Sequence, residues 1–222
     1  MSLPDFEAFW EQGEIALAQD ADDGGMLRAF RDDPDKHPLP TETDRIVLHS
    51  PRIAGYGYAD CPPHPAWLRA VEQPTNEYPL HLIANQPKGR LHSQLDFGAY
   101  SQSLKYRGRE VCTLHPATAA ARGIAEGDIV RIFNQRGACL AAARLNTGQR
   151  ADVVRLPTGA WFDPVIDAQG RMMCVHGNPN VVTRDVGTSS LGQGTTGQRT
   201  IVQVERWDGP LPPVRAYDPP AG

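Results

Sequence analysis

Two segments of this 222-residue chain concentrate hydrogen-bonding side chains and offer little to bury. The first is Asn85-Gln86-Pro87-Lys88-Gly89-Arg90-Leu91-His92-Ser93-Gln94. The second is Gly177-Asn178-Pro179-Asn180, followed by Gly187-Thr188-Ser189-Ser190-Leu191-Gly192-Gln193-Gly194. Glycine lets main chain approach a ligand closely, and asparagine tolerates left-handed conformations, so such runs form cradles of N–H groups, amides and hydroxyls. The first segment adds fixed positive charge. Together they point to a site for something polar, anionic and extended, such as a dinucleotide.

No Ser-His-Asp, Cys-His or paired-carboxylate arrangement stands out, and no metal-ligand cluster does either. The chemistry legible here is recognition, not catalysis. Arg90 suits a phosphate or carbonyl through paired, charge-assisted hydrogen bonds, or is an exposed loop arginine. Asn178 and Gln193 are amides able to read a heterocycle edge in both directions, or to stabilise tight turns. His176 either packs beneath the cradle or touches ligand. Asp185 either accepts from a ligand N–H or caps its own turn. Asn85 and Gln86, at a strand end, share that ambiguity, with Gln86 the better candidate contact.

Short strands must position these loops. Leu80–Ala84 reads as a buried strand running into the first cradle, and 94–106 as partly helical. Val111–Leu114 is a strand, and Pro116–Arg122 a short alanine-rich helix stopped by Gly123. Asp128–Phe133 alternates as a half-buried strand, and Asn134–Gly137 turns it back into Ala138–Leu145 as a hairpin. Val153–Pro157 and Thr200–Glu205 are further strands. Before this domain, 4–12 has helical spacing with Ser2 or Asp5 near its start, apolar positions continue through Ile15, Leu17 and Phe30, and Arg45–His49 reads as a strand. Residues 50–76 look draped over another surface, and the tail from Trp207, rich in proline through Pro220, looks extended and surface-bound.

Composition agrees. Twenty-one glycines and 20 prolines make up almost a fifth of the chain, against about 12% usually, which suits a loop-rich β protein. A net charge of -4 argues against general nucleic-acid binding. No apolar run approaches a membrane span, and the first residues lack the basic and apolar regions of a secretory leader. Cys61, Cys112, Cys139 and Cys174 are widely spaced, without a CxxC pair, and read as isolated core thiols.

Read in order, these motifs resemble the C-terminal, cofactor-binding domain of the molybdopterin oxidoreductases (the dimethyl sulfoxide reductase family), in its sulfoxide and N-oxide reductase branch. The matching stretches are Asn85-Gln86-Pro87 with Arg90-Leu91-His92-Ser93-Gln94-Leu95, and Arg109-Glu110-Val111. His115-Pro116 follows, with Ala121–Ile124 and Gly127–Gly137. His176-Gly177-Asn178-Pro179-Asn180 comes last, with Thr183, Asp185 and Gly187–Gln193. The resemblance covers nearly the whole chain, yet only the last part of a longer family protein.

It implies a mainly β fold: a six-stranded double-psi β-barrel over 78–206 with short helices, an irregular N-terminal extension over 1–77 and an extended tail over 207–222. It implies molybdopterin guanine dinucleotide as ligand, two copies around one molybdenum (bis-MGD) in the full-length enzyme. Gln86, Arg90, His92, Ser93, Gln94, His176, Asn178, Asp185 and Gln193 are then the cofactor-binding residues, with His92-Ser93-Gln94 at the pterin. The implied partners are the remaining domains of the same enzyme and a small sulfoxide or N-oxide, such as biotin or methionine sulfoxide, with no nucleic acid and no membrane. The implied compartment is the cytoplasm, with periplasmic relatives known, and the chain is not expected to turn over substrate alone. Thr118 stands where relatives tend to have an aspartate, as a weaker helix-start acceptor. Two other readings stay open: a double-psi barrel serving as an interaction module without molybdenum, and the same domain of a formate dehydrogenase or nitrate reductase relative.

Overall fold

A computed structural model describes residues 3–16, 25–167, 170–194 and 200–219. Ser2, Leu17 and Pro220, invoked above, lie outside these ranges. The chain divides into two compact units, residues 1–57 with 62–65, and 58–61 with 66–222.

In the first unit, helix α1 (Phe6–Gln12) begins where Asp5 accepts a hydrogen bond from the Ala8 amide at 2.9 Å, and stops at Gly13 in a left-handed conformation. Helix α2 (Arg28–Asp32) is a short turn, and α3 (Pro51–Tyr56) starts at the Ser50 cap with proline at its first position. The strand expected at Arg45–His49 is not formed. Its β-branched residues have no partner strand among the described residues, leaving Ile46, Val47 and Leu48 exposed. Propensity without a ladder does not make a strand.

The second unit is built on eight strands: β1 (Leu80–Ile83), β2 (Val111–Leu114), β3 (Ile129–Phe133), β4 (Ala138–Leu145), β5 (Val153–Arg155), β6 (Pro164–Ile166), β7 (Met172–Cys174) and β8 (Thr200–Arg206). Pairing runs β2-β5-β1-β8-β3-β4, and β4 returns to β2, so six strands close into the double-psi barrel. Among the described residues, two pairs within the barrel are parallel, β1 with β5 (Leu82 opposite Val154) and β2 with β4 (Cys112 opposite Ala143). Closure removes sheet edges that would otherwise template aggregation. Leu82, Cys112, Leu114, Val130, Ile132, Cys139, Val154 and Val202 fill the interior at 0% exposure.

Strand β4 is buried on both faces, because its other side packs with Met173 and Val175. Its Ala141-Ala142-Ala143 run allows that two-sided contact. The β6–β7 hairpin extends the sheet from β4 and was not expected from the sequence.

Helix α4 (Ala99–Ser103) lies within the stretch expected to be partly helical. Helix α5 (Pro116–Ala120) ends before Gly123, which sits at φ 63°. Its start differs from expectation. His115 Nδ1 accepts from the Ala117 amide at 3.1 Å, while buried Thr118 donates instead to the Ala151 carbonyl at 2.6 Å. Glu72 fastens the preceding segment to the barrel, pairing with both Arg136 nitrogens at 2.6 and 3.1 Å and accepting from the Ile201 amide. Cys112, Cys139 and Cys174 are free and buried, and Cys61 is free and partly exposed. Burial pushes the Cys112 thiol up to about 12. Burial also raises Cys139, reinforced by Cys174 and Cys112 beside it.

Candidate functional site

Beyond β1 the first cradle makes a tight turn whose backbone is strained and whose side chains are presented. His92 sits at φ 51° and Leu95 at φ 59°, left-handed values that non-glycine residues adopt only when the surroundings impose them. His92, Ser93, Gln94 and Gln86 are exposed, as is Lys88. Leu91 and Gln94 pair across the turn, with the Gln94 amide donating to the Leu91 carbonyl at 2.9 Å.

What imposes the strain lies directly beneath. Arg90 Nε donates to the His92 carbonyl at 3.1 Å, and Trp161 Nε1 to the Ser93 carbonyl at 2.9 Å. Gly159, at φ 89°, packs so closely that a Cβ there would be driven into the His92 carbonyl. The main-chain oxygens of the turn are therefore taken by this chain, while its side chains point to the exposed face.

Arg90 belongs to this support. Its side chain is 2% exposed, and its remaining N–H groups reach Ser101 Oγ at 3.3 Å, Asp96 Oδ1 at 3.2 Å, Glu110 Oε2 at 2.8 Å and the Thr158 carbonyl at 2.8 Å. With Nε on His92, the guanidinium makes four hydrogen bonds, and the Asp96 contact adds an ion pair. Lys105, 1% exposed, pairs with Asp96 at 2.9 Å and Glu110 at 3.0 Å. Two cations and two carboxylates thus form a closed, neutral, buried network.

Asp96 also accepts from the Trp161 amide at 2.9 Å. Burial works to raise its pKa. The Lys105 hydrogen bond, the Trp161 amide and the Lys105 and Arg90 charges outweigh it and hold the carboxyl below its ordinary range.

The second cradle joins the first through the same network. His176, fully buried, sets Nδ1 2.9 Å from the Trp161 carbonyl, and its own carbonyl accepts from the Glu110 amide at 3.1 Å. A carbonyl only accepts, so Nδ1 carries the proton and Nε2 faces the Tyr217 hydroxyl at 3.1 Å. Burial, then the Lys105 charge, lowers the His176 pKa and keeps the ring neutral. Gly177, at φ 96°, lies against Glu110, whose Cβ would stand 2.5 Å from a Cβ at that position. His176 thus packs beneath the cradle, one of the two roles its sequence left open.

Asn178 Oδ1 accepts from the Asn180 amide at 2.9 Å, capping the turn at Pro179–Val181. Farther on, Thr188 and Ser189 hold a self-bonded loop, and Ser190 donates from both amide and hydroxyl to Asp60. Gln193 is exposed and folds its amide over Gly187, while Asp185 is exposed. The structure therefore joins the first cradle to His176 and Gly177 through buried groups, and tethers the 187–194 loop separately through Asp60.

Four supporting residues escaped the sequence reading. Asp96 and Lys105 fall in the stretch read as partly helical, Glu110 was noted only as part of the Arg109-Glu110-Val111 motif, and Tyr217 lies in the proline-rich tail. The signal available was charge: Asp96, Lys105 and Glu110 are ionisable residues spaced through a buried domain, and such groups require partners.

A closed six-stranded barrel carrying a polar set of side chains on a strained turn is a scaffold for holding a large heterocyclic ligand. The chain belongs to the molydopterin dinucleotide binding domain family, which matches residues 80–201. It is 48% identical to the biotin sulfoxide reductase of Cereibacter sphaeroides over 97% of this chain and 29% of that protein. It is 38% identical to the dimethyl sulfoxide/trimethylamine N-oxide reductase of Rhodobacter capsulatus, over 95% of this chain and 26% of the relative. Against the trimethylamine-N-oxide reductase of Salmonella typhi it is 40% identical, over 99% and 26%. The chain thus spans between a quarter and a third of these relatives. Among solved structures, the acetylene hydratase of Pelobacter acetylenicus shares the fold, with TM-score 0.59 and 19% identity over 79% of this chain and 25% of that one. The family match favours a dinucleotide-binding barrel over an interaction module.

The residues present fit such a ligand. His92, Ser93, Gln94 and Gln86 offer donors and acceptors together, matching the mixed edges of a pterin. Asn85 Oδ1, at the end of β1, is buried without a hydrogen-bond partner, an acceptor that a ligand N–H would satisfy.

Proposed function

We propose that this chain is the molybdopterin guanine dinucleotide-binding part of a larger molybdenum oxidoreductase that removes oxygen from an S- or N-oxide. The observation that carries the reading is the strained His92–Leu95 turn, held from below by buried groups and presenting His-Ser-Gln outward. Strain of this kind, about 1–3 kcal/mol per residue, persists where a fixed geometry serves a site. When bound, the molybdenum cofactor supplies the two-electron oxygen-atom transfer. The chain's residues bind and orient.

In this reading His92, Ser93, Gln94, Gln86 and Asn85 meet the ligand, and Asn178, Asp185 and Gln193 line its second side. Arg90 and His176 act one layer below, fixing backbone and cradle. With Arg90 committed inside, Lys88 is the exposed cation available to a pyrophosphate in the first segment.

Anaerobic titration of the chain with molybdopterin guanine dinucleotide, followed by Trp161 fluorescence, tests the proposal. Saturable quenching that is lost in Trp161→Phe, and weakened at least fivefold by Ser93→Ala with Gln94→Ala, is the expected result; two lost hydrogen bonds would account for that much. Absence of saturable binding, or equal binding by the double variant, would refute it.

A further inference from the structure

We infer that Tyr217, in the proline-rich tail, is a positioning residue that locks the ligand-presenting turn. Its hydroxyl lies 2.9 Å from Asp96 Oδ2 and 3.0 Å from the Asp96 carbonyl, so its one proton is shared between side chain and main chain of the residue that closes the turn. His176 Nε2, 3.1 Å away, is a third acceptor around the same proton. Its ring stands edge-on to His176, with centroids 5.1 Å apart, and to Trp161 at 5.5 Å. One side chain, 121 positions beyond Asp96, thus touches the root of each cradle and the tryptophan between them. The tail is led there by Arg109, which donates to the Pro212 carbonyl, and by the Arg215 amide, which donates to Asp163 Oδ2 at 2.6 Å.

A packing role alone would need only the ring. The hydroxyl does more, because Asp96 follows directly on the left-handed Leu95 and anchors the Trp161 amide. Removing it takes away the one proton shared by the Asp96 carbonyl, Asp96 Oδ2 and His176 Nε2 and leaves three acceptors facing one another, so the turn can relax toward ordinary backbone angles. The inference rests on the reading above only for the identity of the ligand.

The test is Tyr217→Phe, which keeps the ring. Hydrogen exchange in the ligand-free chain is expected to accelerate about tenfold at the Gln94, Asp96 and Trp161 amides and to stay unchanged at Val130, Ile132 and Leu140 in β3 and β4. Affinity for molybdopterin guanine dinucleotide should fall by a similar factor. Uniform acceleration across the barrel, or none at the turn, would overturn the inference, as would unchanged affinity. Failure of the native chain to bind the dinucleotide would refute the proposed function alone, because the exchange pattern is read without ligand.

Discussion

Replacing Arg90 by alanine separates two roles that look alike in sequence. An exposed ligand-contacting arginine could be truncated for about 0.5 kcal/mol or less in the ligand-free chain. Here the guanidinium is 2% exposed and holds Asp96, Glu110 and two carbonyls. Its loss leaves two buried carboxylates to share Lys105, and breaking a buried ion pair costs about 3–5 kcal/mol. That is a large part of the roughly 5–15 kcal/mol that holds a domain folded. At an m-value of about 2.5 kcal/mol/M, the urea midpoint followed by circular dichroism should drop by roughly 1–2 M. Arg90→Met combined with Glu110→Gln removes one charge of each sign and leaves the Lys105–Asp96 pair. It should recover about 1–3 kcal/mol relative to the sum of the single changes, the coupling expected of residues in contact. A midpoint within 0.2 M of the parent for Arg90→Ala, on the order of the 0.5 kcal/mol surface effect, would refute the buried-support role.

Other outcomes follow from the same structure. Gly159→Ala should destabilise by about 2–4 kcal/mol in thermal unfolding, because it adds positive-φ strain to a collision with His92; a change below about 0.5 kcal/mol would contradict that close approach. Acid should weaken the fold in two stages. Asp96 and His176 both have lowered folded-state pKa values, so each contributes stability above its unfolded value, about 6.5 for histidine and 3.9 for aspartate, that is lost as pH falls through the folded value. Stability measured from pH 7 to 3 should fall in that order, with the lower stage removed by Asp96→Asn if that protein folds. In the alkaline range Cys112 acts oppositely. Its raised pKa gives stability present below the unfolded thiol value, near 9, and lost as pH rises toward about 12. A thiol reagent at pH 8 should titrate Cys61 quickly in the native chain and reach Cys112, Cys139 and Cys174 only after denaturation.

The barrel was legible because its strands carry local signals. Leu80–Ile83, Val111–Leu114 and the hairpin through Asn134–Gly137 each show a β-branched or alternating run bounded by turn residues. The β6–β7 hairpin was missed because Pro164 opens one strand and two methionines the other. Yet Val165-Ile166 and Met172–Val175 flank a turn with Gly170 at φ 75°. Arg45–His49 was over-read for the converse reason, since its propensity is real and no partner strand stands beside it among the described residues.

At the candidate site, the sequence marked two polar segments and left the layer of each residue open. Whether Arg90 faces ligand or core is set by Asp96, Glu110 and Thr158, up to 68 positions away, and no local pattern encodes that. His176 and Tyr217 meet across 41 residues for the same reason.

The central claim is that the two polar segments serve one ligand. Amide hydrogen exchange of the chain, with and without saturating molybdopterin guanine dinucleotide, tests it most directly. Protection should appear together at residues 86–94 and at 177–180 with 187–193, leaving the β6–β7 hairpin unchanged. Protection confined to one segment, or centred on the hairpin, would contradict a shared site.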